Sequence, residues 1–257
     1  MRILLCLSLI ALTSCLPSKD KDAPNAETTT TKNESVQSKE TPLQALQTNE
    51  QVLDIKEITT ENGITAWLVE DHSLPIISMK FSFKGAGAIR DGEDKQGLVQ
   101  LLSNTMDEGA GDLPSQEFQK TLNDHSITLR FNAGRDNFGG QLKTLSRYQD
   151  KAFNLLKQAI NTPHFDEEPV ERMRQANISR IKQSIGDPEW INARIFNDVA
   201  FAGHPYALNS GGTLTTLKNI TAQDLKNHHQ TWLTKDNLHI GVTGDITAQQ
   251  LLSLIHI

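Results

Sequence analysis

The sequence is poor in cysteine, in long hydrophobic runs and in basic charge. Cys6 lies inside an apolar run, residues 3–12, that is too short to cross a bilayer as a helix. We predict that residues 1–14 are removed as a signal peptide, which leaves a single cysteine, Cys15, and therefore no disulfide. The formal net charge is −6 at pH 7. An acidic chain without a basic stripe does not attract phosphates, so we expect no nucleic-acid partner.

The end of this leader resembles the cleavage box of a bacterial lipoprotein. Leu12-Thr13-Ser14 precede Cys15, and the resemblance implies that Cys15 becomes a lipidated N-terminus. Two or more acyl chains anchor a protein durably, so the chain would be held on a lipid bilayer through Cys15 without crossing it. Leu16, rather than an aspartate, follows the cysteine, which favours the outer membrane of a bacterial cell envelope, facing the periplasm. The alternative is an ordinary secretory signal in which Cys15 has no role.

Residues 15–50 are predicted to form the lipidated end and a disordered tether. From Pro17 onward this stretch is rich in Ser, Thr, Lys, Asp, Glu, Asn and Gln and contains no aromatic residue. Such a composition cannot bury enough apolar surface to offset the entropy lost on ordering. Residues 51–257 then remain as one folded domain with its own core.

The hydrophobic pattern of residues 51–257 alternates between a strand period and a helix period. Asn62-Gly63 predicts a hairpin turn, because Gly tolerates the positive φ of tight turns. Strands are predicted at residues 52–55, 64–69, 76–84, 127–131, 138–145 and 238–242. Helices are predicted at residues 97–109, 113–122, 148–160, 166–185, 190–201 and 221–232, with a last one capped by Thr247. This order predicts an α+β fold, a mainly antiparallel sheet with helices packed on one face.

The predicted helix at residues 97–109 carries three polar side chains at informative positions: Gln100, Ser103 and Asn104. Their spacing resembles the Gly-x-x-His-x-x-Glu-His helix of the pitrilysin/insulinase (inverzincin) zinc peptidases. In that family the two histidines hold zinc and the glutamate is the general base. The resemblance runs from Val52 to Ile246 through further segments in the expected order: residues 107–111, 133–136, 163–165, 204–206, 212–214 and 241–246. It implies the same fold that the hydrophobic pattern predicts.

The residues at the motif positions do not suit zinc. The side chains of Gln100 and Asn104 are neutral amides, which are poor Zn²⁺ ligands beside imidazole or carboxylate, and Ser103 cannot replace a carboxylate as base. By resemblance, the third ligand, a glutamate, falls near Arg180, where a cation would oppose the metal. The eight histidines of the chain include no pair spaced three or four residues apart. We therefore predict no catalytic residue and no metal in this chain, with zinc held by catalytic relatives or by a partner subunit.

Three functions remain open at this stage. The first is a non-catalytic family member, a partner subunit or peptide-chamber wall of a two-subunit envelope zinc peptidase, with a catalytic sibling and unstructured peptides as its partners. The second is an active zinc endopeptidase of the same family. The third is a lipid-anchored envelope scaffold that does not handle peptides. Because residues 251–257 read as an unfinished apolar helix, we also expect that the chain stops before a second homologous half.

Overall fold

The computed structural model describes residues 53–255 of the chain. They form a six-stranded sheet whose strands are β1 (Lys56–Thr59), β2 (Thr65–Glu70), β3 (Ile76–Lys84), β6 (Thr128–Ala133), β7 (Asn137–Leu145) and β8 (Leu238–Gly244). The strand order in the sheet is β1-β2-β8-β3-β7-β6, and every pairing is antiparallel except that of β2 with β8. A two-stranded ribbon is made of β4 (Gly109–Ala110) and β5 (Leu113–Pro114).

Eight α-helices accompany the strands in the part of the chain that is described. They are α1 (Leu98–Ser103), α2 (Ser115–Asp124), α3 (Gln149–Asn161), α4 (Glu167–Ser184), α5 (Pro188–Ala200), α6 (Thr216–Asn219), α7 (Ala222–Trp232) and α8 (Ala248–Leu254). Thr247 caps α8 by accepting a hydrogen bond from the backbone N–H of Gln250, as the sequence predicts. None of the helices in residues 53–255 is long and apolar enough to cross a membrane.

The helices lie on one face of the sheet. Along β3 the side chains of Ile77, Met79, Phe81 and Phe83 are buried, while the residues between them are exposed or partly exposed. Because successive side chains of a strand point to opposite faces, this alternation puts the core on one side only. Helices α1, α2, α3 and α8 contact the strands. The predicted fold class, a mainly antiparallel α+β sheet with helices on one face, is confirmed.

The first hairpin corrects the predicted start of the sheet. The sequence places a strand at residues 52–55, whereas β1 begins at Lys56, and residues 53–55 lie outside any strand. The turn fixes the register, because Gly63 has a φ of 81° and the N–H of Gly63 donates to the carbonyl of Thr60. Ile58 then pairs with Ala66, and both side chains are buried.

The helix that carries the motif positions is also shorter than predicted. The sequence indicates residues 97–109, but α1 ends at Ser103. Just beyond it, the hydroxyl of Thr105 donates to the carbonyl oxygens of Leu101 and Leu102, at 3.0 and 3.1 Å. A side chain that bonds back to the helix in this way competes with the regular backbone ladder, and the chain turns toward β4 instead of continuing.

Three predictions fall on residues that the structure does not describe. The signal peptide, the lipidated Cys15 and the tether lie within residues 1–52. They remain predictions.

Candidate functional site

The candidate site is a cluster of polar side chains, here called the amide cluster, made of Gln100, Ser103, Asn104 and Asn177. Three of its members come from α1 and its C-terminal end, and Asn177 comes from the middle of α4. Ser103 and Asn177 are buried, with exposed fractions of 3% and 1%, whereas Gln100 and Asn104 are partly buried. The cluster therefore lies at the contact between α1 and α4 and not on the free surface of either helix.

A chain of hydrogen bonds runs through the amide cluster. The side-chain amide nitrogen of Gln100 donates to the hydroxyl of Ser103 at 3.2 Å and to Oδ1 of Asn104 at 3.1 Å. The hydroxyl of Ser103 donates to the backbone carbonyl of Gln100 at 2.8 Å. Nδ2 of Asn104 donates to Oδ1 of Asn177 at 2.8 Å, which is the bond that joins α1 to α4. Four uncharged side chains are thus linked to one another at the motif positions, and only Nδ2 of Asn177 is buried without a partner among the described residues.

The structure places Asn177, and not Arg180, beside the motif positions. The buried side of α4 includes Val170, Asn177, Ile178 and Ile181, whereas Arg180 is exposed to solvent. The resemblance had put the third ligand position near Arg180. The contact between Asn104 and Asn177 indicates instead that the amide of Asn177 stands at the α4 position that faces the motif.

A signal for Asn177 was present in the sequence. An asparagine that lies seven residues after Val170 and four before Ile181 falls on the apolar stripe of the predicted helix. A polar amide at a core position of a helix is uncommon, because a buried polar group must find a hydrogen-bond partner. The resemblance points to Arg180, whereas the apolar stripe of the helix points to Asn177.

The amide cluster does not fit a zinc ion. Zinc sites in proteins are built from thiolates, imidazoles and carboxylates, and the cluster offers none of these. Nδ2 of Asn177 is buried and has no hydrogen-bond partner among the described residues, so the cluster also holds an N–H donor that has nothing to offer a cation. Within residues 53–255 no group of three or more His, Cys, Asp and Glu side chains is placed to hold a metal ion.

The buried carboxylate of Asp91 holds the start of α1, next to the amide cluster. The carboxylate of Asp91 accepts hydrogen bonds from the backbone N–H groups of Gly97, at 2.9 Å, and Val99, at 3.1 Å, at the start of α1. Burial raises the pKa of Asp91 from its ordinary 3.8 to about 7, although these bonds act in the opposite direction. Burial likewise raises the pKa of Asp107 to about 6.

An ion pair forms a second link between α4 and the segment after α1. Nη2 of Arg172 lies 2.8 Å from a carboxylate oxygen of Glu108, and the hydroxyl of Ser115 donates to the same oxygen at 2.5 Å. Arg174, also on α4, donates from Nη1 to the carbonyl of Ile220 at 2.8 Å. Arg172 and Arg174 are therefore engaged with carboxylates and carbonyls away from the amide cluster.

Comparison with known protein families finds two family models that match this chain. The family model described as insulinase (peptidase family M16) matches residues 83–207, and the one described as peptidase M16 inactive domain matches residues 219–256. The two ranges together cover more than half of the chain and include every member of the amide cluster. The chain belongs to the insulinase (M16) peptidase family.

Two of its relatives in the M16 family carry names that deny or doubt catalysis. The "Non-peptidase homolog YmxG" of Helicobacter pylori is 24% identical over 73% of this chain and 43% of its own length. The "Probable inactive metalloprotease YmfF" of Bacillus subtilis is 25% identical over 78% of this chain and 51% of its own length. The chain thus spans about half the length of these curated relatives.

Solved structures of the M16 family share the fold. A peptidase M16 inactive domain from Pseudomonas fluorescens superimposes with a TM-score of 0.74 at 20% identity, covering 79% of this chain and 49% of that one. Pitrilysin superimposes with a TM-score of 0.70 at 20% identity, covering 80% of this chain and 22% of that one. With neutral side chains at the motif positions, the chain is a non-catalytic homologue within the M16 family.

Proposed function

We propose that this protein is a non-catalytic partner subunit of a two-subunit envelope zinc peptidase, in which it forms a wall of the chamber that holds unstructured peptides. Zinc and the general base would belong to a catalytic sibling with an intact His-x-x-Glu-His motif. The predicted lipid anchor at Cys15 would keep the pair at the bacterial outer membrane, on the periplasmic side. Both the partner and the location are part of the proposal.

The observation that carries this proposal is the amide cluster. Chance loss of a metal site would leave isolated polar groups at a buried helix contact, and an unpaired buried polar group costs about 1–3 kcal/mol. Here Gln100, Ser103 and Asn104 instead bond to one another, and Asn104 reaches Asn177 at 2.8 Å, which leaves one buried donor of the cluster, Nδ2 of Asn177, without a partner among the described residues. The helix pair has been kept in contact without a metal, which supports a role for the scaffold that does not need catalysis.

The names of relatives add support to the subunit role. A relative from Arabidopsis thaliana is named "Probable mitochondrial-processing peptidase subunit beta, mitochondrial", and it is 18% identical over 66% of this chain and 32% of its own length. That name describes a protein which works as one subunit of a peptidase. Non-catalytic and subunit relatives together favour a partner role over that of an independent enzyme.

Metal binding tests the non-catalytic part of the proposal. We expect the purified wild-type chain, dialysed against Zn²⁺ and analysed for metal, to retain none at a stoichiometric level. The variant Gln100→His/Asn104→His/Asn177→Glu restores two imidazoles and a carboxylate around the same contact and is expected to retain about one zinc per chain. The matched control carries Arg180→Glu in place of Asn177→Glu. We expect this control to bind zinc much less tightly, because residue 180 is exposed.

Peptide cleavage tests the partner role. We expect no hydrolysis of an unstructured peptide by the wild-type chain with Zn²⁺, and a higher kcat/KM for a catalytic sibling when the chain is added. If the wild-type chain binds stoichiometric zinc that EDTA removes, and if Gln100→Ala abolishes its cleavage of the peptide, the chain is an active zinc endopeptidase instead. A sibling whose kcat/KM does not respond to the chain would leave the lipid-anchored scaffold as the better description.

A further inference from the structure

Helix α7 is attached to the rest of the described chain partly through histidine. Of the eleven residues of α7, only Leu225 and His228 are buried, whereas α3 buries six apolar side chains. The next residue, His229, is partly buried. An imidazole suits a buried position only while it is neutral, because burial of a charged group without a partner is costly. The attachment of α7 therefore depends on the charge of its histidines.

The two histidines hold α7 in two directions. Nε2 of His228 donates to the carbonyl of Ala86, just after β3, at 3.0 Å. Nε2 of His229 donates to the carbonyl of Ile160, in the last turn of α3, at 2.6 Å. Since a carbonyl oxygen only accepts, both neutral rings carry their proton on Nε2 and have none on Nδ1. Nδ1 is therefore the atom of each ring that takes up a proton when the pH falls.

The segment that packs against His229 has a strained backbone. Phe165 has a φ of 54°, in the left-handed region that bulky side chains rarely adopt, and it is buried. Its ring meets that of His229 edge to face, with centroids 6.0 Å apart and 69° between the planes. Strained backbone persists only where its surroundings hold it. The contact with His229 is one of these supports, so its loss lets the segment relax.

The charged groups around the two histidines are engaged elsewhere or are cations themselves. The nearby cations are Lys84 on β3, Arg90 between β3 and α1, Lys95 before α1 and Lys226 on α7. The nearby carboxylates and the third histidine are Asp91, Asp224, Asp166 and His164. Asp224 pairs with Lys95 at 2.7 Å, and Asp91 accepts from the start of α1. Asp166 lies 3.5 Å from Nδ1 of His164.

Acid therefore charges these rings without a counter-ion. None of the ion pairs among residues 53–255 includes His228 or His229. Burial lowers the pKa of His228 from its ordinary 6.5, and the neighbouring His229 and Arg90 lower it further, against the effect of the bond to Ala86. Burial likewise lowers the pKa of His229. Such groups stabilise the fold fully above about pH 6.5, and this contribution is lost as the pH falls through the folded-state pKa.

We propose that His228 and His229 form a proton-sensitive clasp, which fastens α7 to β3 and α3 while both imidazoles are neutral and releases α7 when they take up protons. The two charges would lie on adjacent residues, so repulsion adds to the loss of burial. Because α7 also contacts α1, its release removes one support of the helix that carries the amide cluster. The clasp is independent of the proposed partner role, since it consists of contacts within residues 53–255.

Amide hydrogen exchange of the full chain at pH 7.5 and pH 5.5, read by mass spectrometry and corrected for the intrinsic rates, tests the clasp. We expect the protection of residues 222–232 to fall about tenfold or more on acidification, while that of α2 does not fall. Asp91 cannot produce this decrease. Its raised pKa means that acid stabilises the folded state through this group, which is the opposite direction.

A double variant and a matched control make the result specific. His228→Gln/His229→Gln keeps N–H donors but cannot take up protons, so the decrease across residues 222–232 should disappear. His164 also donates from Nε2 to a backbone carbonyl, that of Gly111 at 2.7 Å, but lies outside α7. We therefore expect His164→Gln to keep the wild-type response.

The wild-type measurement is decisive even if the double variant does not fold. The clasp is overturned if the protection of residues 222–232 in the wild type is unchanged at pH 5.5, or falls no more than that of α2. It is also overturned if the decrease persists in the double variant, or if His164→Gln abolishes it equally.

Discussion

The two faces of the six-stranded sheet differ in the burial of their side chains and in the pairing of their polar groups. On the helix-covered face, side chains such as Met79 and Phe83 are buried, and even the polar amide cluster is linked internally. On the opposite face, here called the open face, Trp67 is 41% exposed and the cation of Lys80 has no carboxylate partner among the described residues. The first face accounts for why the chain folds, and the second has features that folding alone does not require.

The comparison explains how the fold can persist in a family member whose motif residues do not suit zinc. A metal site ties two helices together through shared ligands, and its removal would leave that helix contact weakened. In this chain the bond between Asn104 and Asn177 spans the same contact between α1 and α4. The fold therefore keeps this helix contact and its core without a metal.

The largest expected effect separates the two faces by truncating one aromatic residue on each. Phe83 is 2% exposed, so Phe83→Ala removes a buried ring and is expected to lower the free energy of unfolding by about 3–5 kcal/mol. Trp67→Ala, on the open face, should lower it by less than about 1 kcal/mol. Urea unfolding of both variants measures the difference. Equal losses would mean that the open face is part of the core.

A second prediction concerns pH and belongs to the covered face. The pKa of Asp91 is raised by burial from 3.8 to about 7, so the folded state favours the protonated acid. This contribution to stability is complete below about pH 4 and is lost as the pH rises to about 7. At about 1.4 kcal/mol per pKa unit, the free energy of unfolding should fall by a few kcal/mol across that range.

The variant Asp91→Asn checks the assignment of this pH dependence. An asparagine cannot ionise, so the decrease in the free energy of unfolding between pH 4 and pH 7 should become shallower, even though the variant loses an acceptor for the N–H groups of Gly97 and Val99. Asp107, with its pKa raised to about 6, should account for part of the remaining slope. An unchanged slope in Asp91→Asn would contradict the assignment.

A third prediction compares two glycines of the same sheet. A Cβ at Gly140 would lie 2.5 Å from the carbonyl oxygen of Arg130 and 2.5 Å from the ring of Phe81, so Gly140→Ala should lower the free energy of unfolding by about 1–3 kcal/mol. Gly241→Ala meets nothing and should leave it unchanged or raise it by about 0.5 kcal/mol. Thermal melts of both variants measure the difference in stability. A lower melting temperature for Gly241→Ala would show that the fold requires glycine at this position.

The sequence predicted the covered face well because its signals are local. Alternation along residues 76–84 identified which side chains of β3 are buried, and Asn62-Gly63 identified the hairpin. The open face depends on strand order: β8 is inserted between β2 and β3, which brings Gly241 between Trp67 and Lys80. No local pattern contains that insertion, so the row of residues across the sheet could not be derived from one sequence.

The amide cluster was predicted only in part, for a similar reason. Gln100, Ser103 and Asn104 share one helix, and their spacing is visible in the sequence. The α4 position depends on how two helices pack, and an error of three residues moves it about 4.5 Å along the helix axis. That distance separates the buried Asn177 from the exposed Arg180.

The smallest expected effect tests whether the amide cluster links the helices as the structure indicates. Asn177→Ala leaves Nδ2 of Asn104 without its acceptor and should lower the free energy of unfolding by about 1 kcal/mol. The cost is moderate because Nδ2 of Asn177 is itself unpaired, and its removal relieves that penalty. Arg180→Ala, on the exposed side of α4, should stay within about 0.5 kcal/mol of the wild type.

A double-mutant cycle isolates the bond from the general cost of truncation. If Asn104→Ala and Asn177→Ala act on one hydrogen bond, the double variant should lose less than the sum of the single losses, with a coupling of about 0.5–1.5 kcal/mol. Additive losses, or a larger loss at Arg180 than at Asn177, would mean that α1 and α4 are held by packing alone. The link between Arg172 and Glu108 would then be the polar contact to examine, because it joins α4 to the segment that follows α1.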